Sequence, residues 1–176
     1  ALAPVLARKG VPIVGLEPSC VLGMRDEWLG LGLGKAADEL ASRVMMFEEW
    51  WLDHVARHGP PAQVQDAPEV LVHGHCHQKA MGVISPTLRA LESFGLNVRL
   101  ISSSCCGMAG SFGMEARHLA TSLAMAHADL VPAVSAADPQ AWIVADGFSC
   151  RHQIRDTTRR EAMHVSRAIA RLAGVG

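Results

Sequence analysis

No excess of charge marks this sequence: 16 Lys and Arg stand against 17 Asp and Glu, a net charge of −1 over 176 residues. That balance leaves no electrostatic footprint for nucleic acid or for an anionic lipid surface. Long hydrophobic runs are also missing. None approaches the ~20 residues needed to span a bilayer, and no stretch reads as a signal peptide. Hydrophobic residues nevertheless make up 49% of the chain and charged residues 19%, which excludes a disordered or fibrous protein. Five cysteines, an odd number, are too sparse for a secreted disulfide scaffold. The expectation is one soluble, cytoplasmic domain of ordinary size. The chain opens Ala1-Leu2-Ala3-Pro4 without a methionine, which reads as the excised part of something longer.

Common catalytic signatures are absent as well. No Ser-His-Asp or paired-carboxylate arrangement stands out. His54 and His58 are four residues apart but lack the intervening HExxH pattern, and they read as an exposed helix end. Gly30-Leu31-Gly32-Leu33-Gly34-Lys35 satisfies neither GxGxxG nor GxxxxGK(S/T), and no strand precedes it.

What is present is alternation. Val11–Leu16, Val70–His73, Val98–Ile101 and Trp142–Ala145 read as buried parallel strands. Helical patterns fall between them, over 35–57, 82–94, 113–130 and 158–173. In the first of these Leu40, Val44, Phe47, Trp51 and Val55 make one apolar stripe. Met45, Met46, Trp50 and Trp51 read as core, or as a surface covering a missing unit. Pro60–Pro68 reads as a loop. The fold class that follows is α/β, a parallel sheet flanked by helices. The sequence also carries a partial internal repeat. Displaced by 130 positions, PIVGLEPSCVLGMRD lies over WIVADGFSCRHQIRD, and Ile13/Ile143, Val14/Val144, Ser19/Ser149, Cys20/Cys150, Arg25/Arg155 and Asp26/Asp156 coincide.

Each cysteine lies just past a strand: Cys20, Cys76, the pair Cys105-Cys106, and Cys150. Parallel strands expose their carboxyl ends on one side of the sheet, so at least four thiols are expected to converge on one edge. Four thiolates suit an iron–sulfur cluster or zinc. Helices beginning just after the cysteines would lower thiolate pKa values and donate N–H groups to cluster sulfur. Gly107, Gly110 and Gly113 are expected to let the backbone approach a bulky inorganic core.

The strings HCHQKAMG, SSCCGMAGSFG and DGFSCRHQI, with Cys76, Cys105-Cys106-Gly107 and Cys150, resemble the cysteine-rich CCG domain. That family includes one of the subunits of heterodisulfide reductase and the iron–sulfur subunits of glycolate oxidase and anaerobic glycerol-3-phosphate dehydrogenase. The strings look most like the C-terminal region of FAD-linked oxidases with fused iron–sulfur domains. The resemblance implies that residues 1–33 are the tail of an incomplete first repeat, 34–66 a helical linker and 67–176 a complete second repeat. It implies Cys76, Cys105, Cys106 and Cys150 as ligands of a cluster of the 4Fe–4S type, with Gly107 beside it. Cys20 would serve the site of the first repeat. The implied activity is electron relay from the flavin of a 2-hydroxy-acid dehydrogenase. FAD would lie in the missing part of the parent chain, so this piece alone would lack dehydrogenase activity. The implied partners are a flavin dehydrogenase domain, a ferredoxin-like domain and an acceptor such as a quinone. The resemblance also leaves room for a peripheral position on the inner face of a membrane, through the parent complex. One departure stands out. Gln153 occupies the place of the last cysteine in the Cys-x-x-Cys of heterodisulfide reductase, which argues against a five-thiolate, non-cubane cluster.

Several neighbours could tune such a centre. His73, His75 and His77 flank Cys76 and could ligate metal, especially zinc in place of a lost cluster, but residues leaving a strand alternate in direction, so all three cannot converge. His75 or His77 is expected in an outer, hydrogen-bonding role, and so, less specifically, are Lys79, Arg151 and His152. No role for Gln78 follows from charge or spacing. Three rivals remain: a structural zinc site, a thiol–disulfide switch on Cys105 and Cys106, and a docking domain with vestigial cysteines.

Overall fold

The structure, a computed structural model, describes residues 10–174, so the first nine residues of the implied first-repeat tail lie outside it. Its elements run β1 (Ile13–Gly15), α1 (Pro18–Arg25), α2 (Lys35–Ala41), β2 (Val44–Met46), α3 (Phe47–His58), β3 (Val70–His73), α4 (Cys76–Ala80), α5 (Ser85–Glu92), β4 (Val98–Leu100), α6 (Leu119–Ala128), α7 (Leu130–Ala136), β5 (Trp142–Ala145), α8 (Phe148–Thr158), β6 (Ala162–Met163) and α9 (Val165–Leu172). β4-β3-β5-β6 form one parallel sheet and β1-β2 a second, shorter one. The α/β class is as expected, and the cysteines stand beyond the carboxyl ends of the strands.

β3 is buried at all four positions because it is central and covered on both faces. Leu71 and Ile143 face one layer, with Leu130, Val134 and Ile154 of α7 and α8. Val70, Val72 and Val144 face the other, with Leu91 and Phe94 of and after α5 and Val165 and Ile169 of α9. Cys106 and Cys150 belong to the first of these layers. Trp51 stacks on Phe94 with ring centroids 5.6 Å apart, and Met46 is buried against Leu22 and Leu40. Of the Met/Trp belt, Met46 belongs to the core and Trp51 packs against it, while Met45 and Trp50 are half-buried.

Four expected elements are corrected. The stripe over 35–57 is two helices with a strand between them, because Val44, Met45 and Met46 pair in parallel with Ile13, Val14 and Gly15. The 82–94 helix is confined to Ser85–Glu92, with Pro86 in its first turn. The 113–130 helix begins only at Leu119, after two 3-10 turns, and continues past a bend as α7. The 158–173 helix is confined to Val165–Leu172, since Ala162–Met163 forms the edge strand β6. No single helix among the described residues is long and apolar enough to cross a membrane.

The repeat extends further than the identities did. Helices α1 and α8 begin at equivalent places, Pro18 and Phe148. Ile13 pairs with Val44 as Ile143 pairs with Ala162, and each second strand leads into a helix, α3 or α9. A β-α-β-α unit thus occurs twice, the first copy enlarged by the segment that holds α2. The copies touch where Phe148 N–H donates to Glu17 Oε2 (3.0 Å) and His164 Nε2 meets the Leu16 carbonyl (2.8 Å).

Candidate metal centre

Three chain segments bring thiols to one rim. After β3 the backbone turns into α4, whose first residue is Cys76. His75 caps this helix. Its Nδ1 accepts the His77 N–H (3.2 Å), and Gln78 Oε1 accepts the His75 N–H (3.0 Å). Beyond β4, Lys79 Nζ holds the loop that carries the cysteine pair by donating to the carbonyls of Ser103 (2.7 Å) and Ser104. Beyond β5, Arg151 donates to the carbonyls of Ala145 (2.9 Å) and Asp146 (2.6 Å), fixing the turn into α8, where Cys150 is the third residue.

The four thiols meet as two linked pairs. Cys150 donates to Cys106, and this bond, helped by His73 and the Met108 backbone, pulls the Cys106 thiol down to about 4 against the opposing effect of burial. The same bond, with burial, pushes Cys150 well up. Burial raises Cys76 to about 11, and its hydrogen bond to Cys105 adds to the rise. Cys105 Sγ accepts the Gly107 N–H at 3.3 Å. Cys150 feels the charges of Cys106, Cys76 and Cys105, so the pairs are electrostatically joined. Metal-free, the hydrogen bond between Cys106 and Cys150 favours one proton shared by that pair, while burial favours the protonated form of Cys76.

His73 joins the thiols most closely, with His75 beside them and His77 at the surface. It ends β3 at 1% exposure, and its ligand atom lies with those of Cys106 and Cys150 in a group all within 4.8 Å of one another. His75 is occupied as the α4 cap, and its imidazolium form is disfavoured chiefly by burial. His77 pairs with Glu27 (3.4 Å) at the surface. His152 packs against Phe148 with the rings tilted 47° and their centroids 4.4 Å apart. Cys20 is exposed on α1 and is not among the groups whose fields shift the other thiols.

The glycine expectation needs a different reason. A Cβ on Gly107 would strike the Ser122 carbonyl of α6, and its φ of +88° is in the left-handed region. Gly107 thus admits helix α6, while its N–H reaches the Cys105 sulfur. Gly147 is the residue that leaves room at the thiols, since a Cβ there would fall 2.5 Å from His75 Cδ2 and 3.1 Å from Cys150 Sγ. Helices begin at Cys76 and around Cys150, but a loop follows Cys105-Cys106. Gln153 is buried with Nε2 directed at Ser122 Oγ (3.1 Å), away from the thiol pairs.

Behind α4 lies a group that sequence reasoning missed. Gln78 Nε2 reaches Glu48 Oε1 (2.9 Å), Asp146 Oδ2 (2.9 Å) and Thr87 Oγ1 (3.2 Å), and all four residues are buried. The legible signal was a glutamate amid the apolar α3 stripe and an aspartate ending a fully apolar strand. A cleft of about 280 Å³, lined by Glu17, His75, Cys76, His77, Gly110 and Ser149 among others, opens the site to solvent.

Comparison with known proteins gives dehydrogenases. The chain is 30% identical over 169 residues to D-2-hydroxyglutarate dehydrogenase of Pantoea ananatis, covering 95% of this chain and 16% of that protein. It is 32% identical over 164 residues to the enzyme of the same name from Pseudomonas putida, covering 90% and 15%. It is 30% identical over 165 residues to one subunit of the anaerobic glycerol-3-phosphate dehydrogenase of Escherichia coli, covering 89% and 39%. The chain thus spans well under half the length of these relatives. No protein-family profile and no solved structure matches it.

Proposed function

We propose that this chain is the iron–sulfur portion of an oxidoreductase, a CCG-type domain that relays electrons from the flavin of a 2-hydroxy-acid dehydrogenase to a downstream acceptor. The observation that carries the reading is the meeting of Cys76, Cys105, Cys106 and Cys150, from three segments far apart in sequence, at one rim of the sheet. Relatives named as dehydrogenases, aligned along nearly the whole chain, support it. So does the doubled β-α-β-α unit, whose first copy runs from β1 to α3 and so takes in most of the stretch 34–66 first read as a linker, while the second copy lies within 67–176. The partners in this reading are a flavin domain and a ferredoxin-like domain in the parent protein, with a quinone or another carrier as acceptor.

The residues present fit a thiolate-bound centre. The donors are soft, Gly147 lets Cys150 and His75 close in on its backbone, and His73 is buried with its ligand atom grouped with those of Cys106 and Cys150. Bound there, an iron–sulfur cluster supplies one-electron transfer at a potential set by its surroundings. Lys79 fixes the Ser103 and Ser104 carbonyls so that the cysteine pair faces Cys76. Arg151 does the same for the strand end that leads to Cys150. Burial of Cys106 and Cys150 excludes water from the inner side, while the cleft keeps Cys76 near solvent.

Anaerobic purification and reconstitution with iron and sulfide tests the reading. Stoichiometric iron and sulfide with broad visible absorbance is expected, and Cys106→Ser should abolish both. Protein made anaerobically with ample iron that holds only zinc, or no metal at all, would overturn it.

A further inference from the structure

We propose that His73 is a nitrogen ligand of this centre, so that the donor set is mixed imidazole and thiolate. The inference rests on the metal-centre reading above and adds a ligand to it.

Of the three histidines around Cys76, His73 is the one whose ligand atom groups with two thiols. His75 Nδ1 accepts the His77 N–H, which puts the proton of its neutral ring on Nε2 and leaves no lone pair there, and His77 Nε2 meets Glu27. His73 follows the strand alternation that places Leu71 in the layer containing Cys106 and Cys150. Its Nδ1 is 2.8 Å from Ser103 Oγ. A protonated Nδ1 donating to that hydroxyl leaves Nε2 with a free lone pair, the tautomer that a metal-bound imidazole requires. Nε2 itself is buried and makes no hydrogen bond of acceptable geometry, even though the ring acts on the Cys106 thiol.

Distance supports the same conclusion. The ligand atoms of His73, Cys106 and Cys150 lie within 4.8 Å of one another. Metal–sulfur bonds of about 2.3 Å and metal–nitrogen bonds of about 2.0 Å place tetrahedral donors roughly 3.5–3.8 Å apart. At 4.8 Å or less, His73 stands close enough to both sulfurs to share the same metal centre after side-chain adjustments of about 1 Å. Besides Ser103, the partner of the ring in the metal-free chain is the Cys106 thiol, and a metal held between the two would replace that contact. Ser103 is then the group that orients the ligand from behind, and Lys79, by holding the Ser103 carbonyl, orients Ser103.

The test is pulsed EPR on the full chain, reconstituted anaerobically with iron and sulfide and then reduced, with and without ring-¹⁵N histidine. A strongly coupled nitrogen that changes its frequencies on labelling is expected. In His73→Cys the iron and sulfide content should stay the same and the nitrogen signature vanish, and the reduction potential should fall, since imidazole in place of thiolate raises it. A loaded, unsubstituted protein without a coupled imidazole nitrogen overturns the assignment while leaving the cluster reading intact. A coupling that survives in His73→Cys also overturns it, by pointing to another histidine. Protein that takes up neither iron nor sulfide overturns the reading beneath as well.

Discussion

Replacing Glu48 with Gln should flatten the dependence of stability on pH. Glu48 is fully buried on α3, where its Oε1 accepts from Gln78 (2.9 Å) and Thr87 (3.1 Å) and its Oε2 has no partner. Asp146 draws on the same two donors through Oδ2. On its other side Asp146 Oδ1 accepts the Val165 N–H (3.1 Å) and faces His164 Nε2 (3.6 Å). Burial first, and the charge of Asp146 second, push the Glu48 carboxyl from 4.5 up to about 8. Between those values the folded chain holds a proton that the unfolded chain releases, so stability falls as pH rises through the interval. The slope reaches at most about 1.4 kcal/mol per pH unit, which sums to roughly 5 kcal/mol across the whole range. The amide of Gln mimics the protonated acid and cannot ionise. Urea unfolding of the metal-free protein, followed by circular dichroism near pH 5.5, 6.5 and 7.5, measures the difference between wild type and Glu48→Gln. The variant should gain on the wild type by about 1 kcal/mol per unit. A difference that stays constant with pH refutes the shared-donor account of these two carboxylates.

Two further outcomes follow from the site. Gly107→Ala should cost about 2–4 kcal/mol in unfolding experiments, because the new Cβ meets the Ser122 carbonyl and the residue must keep a left-handed φ. Binding of zinc or cadmium by the metal-free protein at about pH 7 should release at least two protons, that of Cys76 and the one shared by Cys106 and Cys150; fewer than two in a weakly buffered dye titration would refute the assigned protonation.

The convergence of the thiols was legible in the sequence because it depends only on strand polarity: short Val- and Ile-rich runs, each followed by a cysteine, admit few other arrangements. The Ser-Cys repeat was legible for the same reason, since Ile13-Val14 and Ile143-Val144 are both strand residues. The break at Val44–Met46 was not, because a three-residue strand between two helices leaves the helical spacing of Leu40, Val44, Phe47 and Trp51 undisturbed. His73 was passed over for His75 and His77 because nearness to Cys76 along the chain says nothing about direction, whereas strand alternation places His73 with the layer containing Cys106. Gln78 was opaque because its partners, Glu48, Thr87 and Asp146, come from three separate parts of the chain.

Cys106 and Cys150, at 3% and 1% exposure, are packed among Leu71, Leu130, Ile143 and Ile154, while the cleft reaches only Cys76. An incoming ion therefore meets an outer sulfur at once but the inner two only when α8 or the Cys105-Cys106 loop swings briefly outward. In the proposed reading, uptake of metal and its removal by a chelator would both be paced by that opening, so the depth of these two sulfurs would act as a clock on the cofactor's arrival and departure.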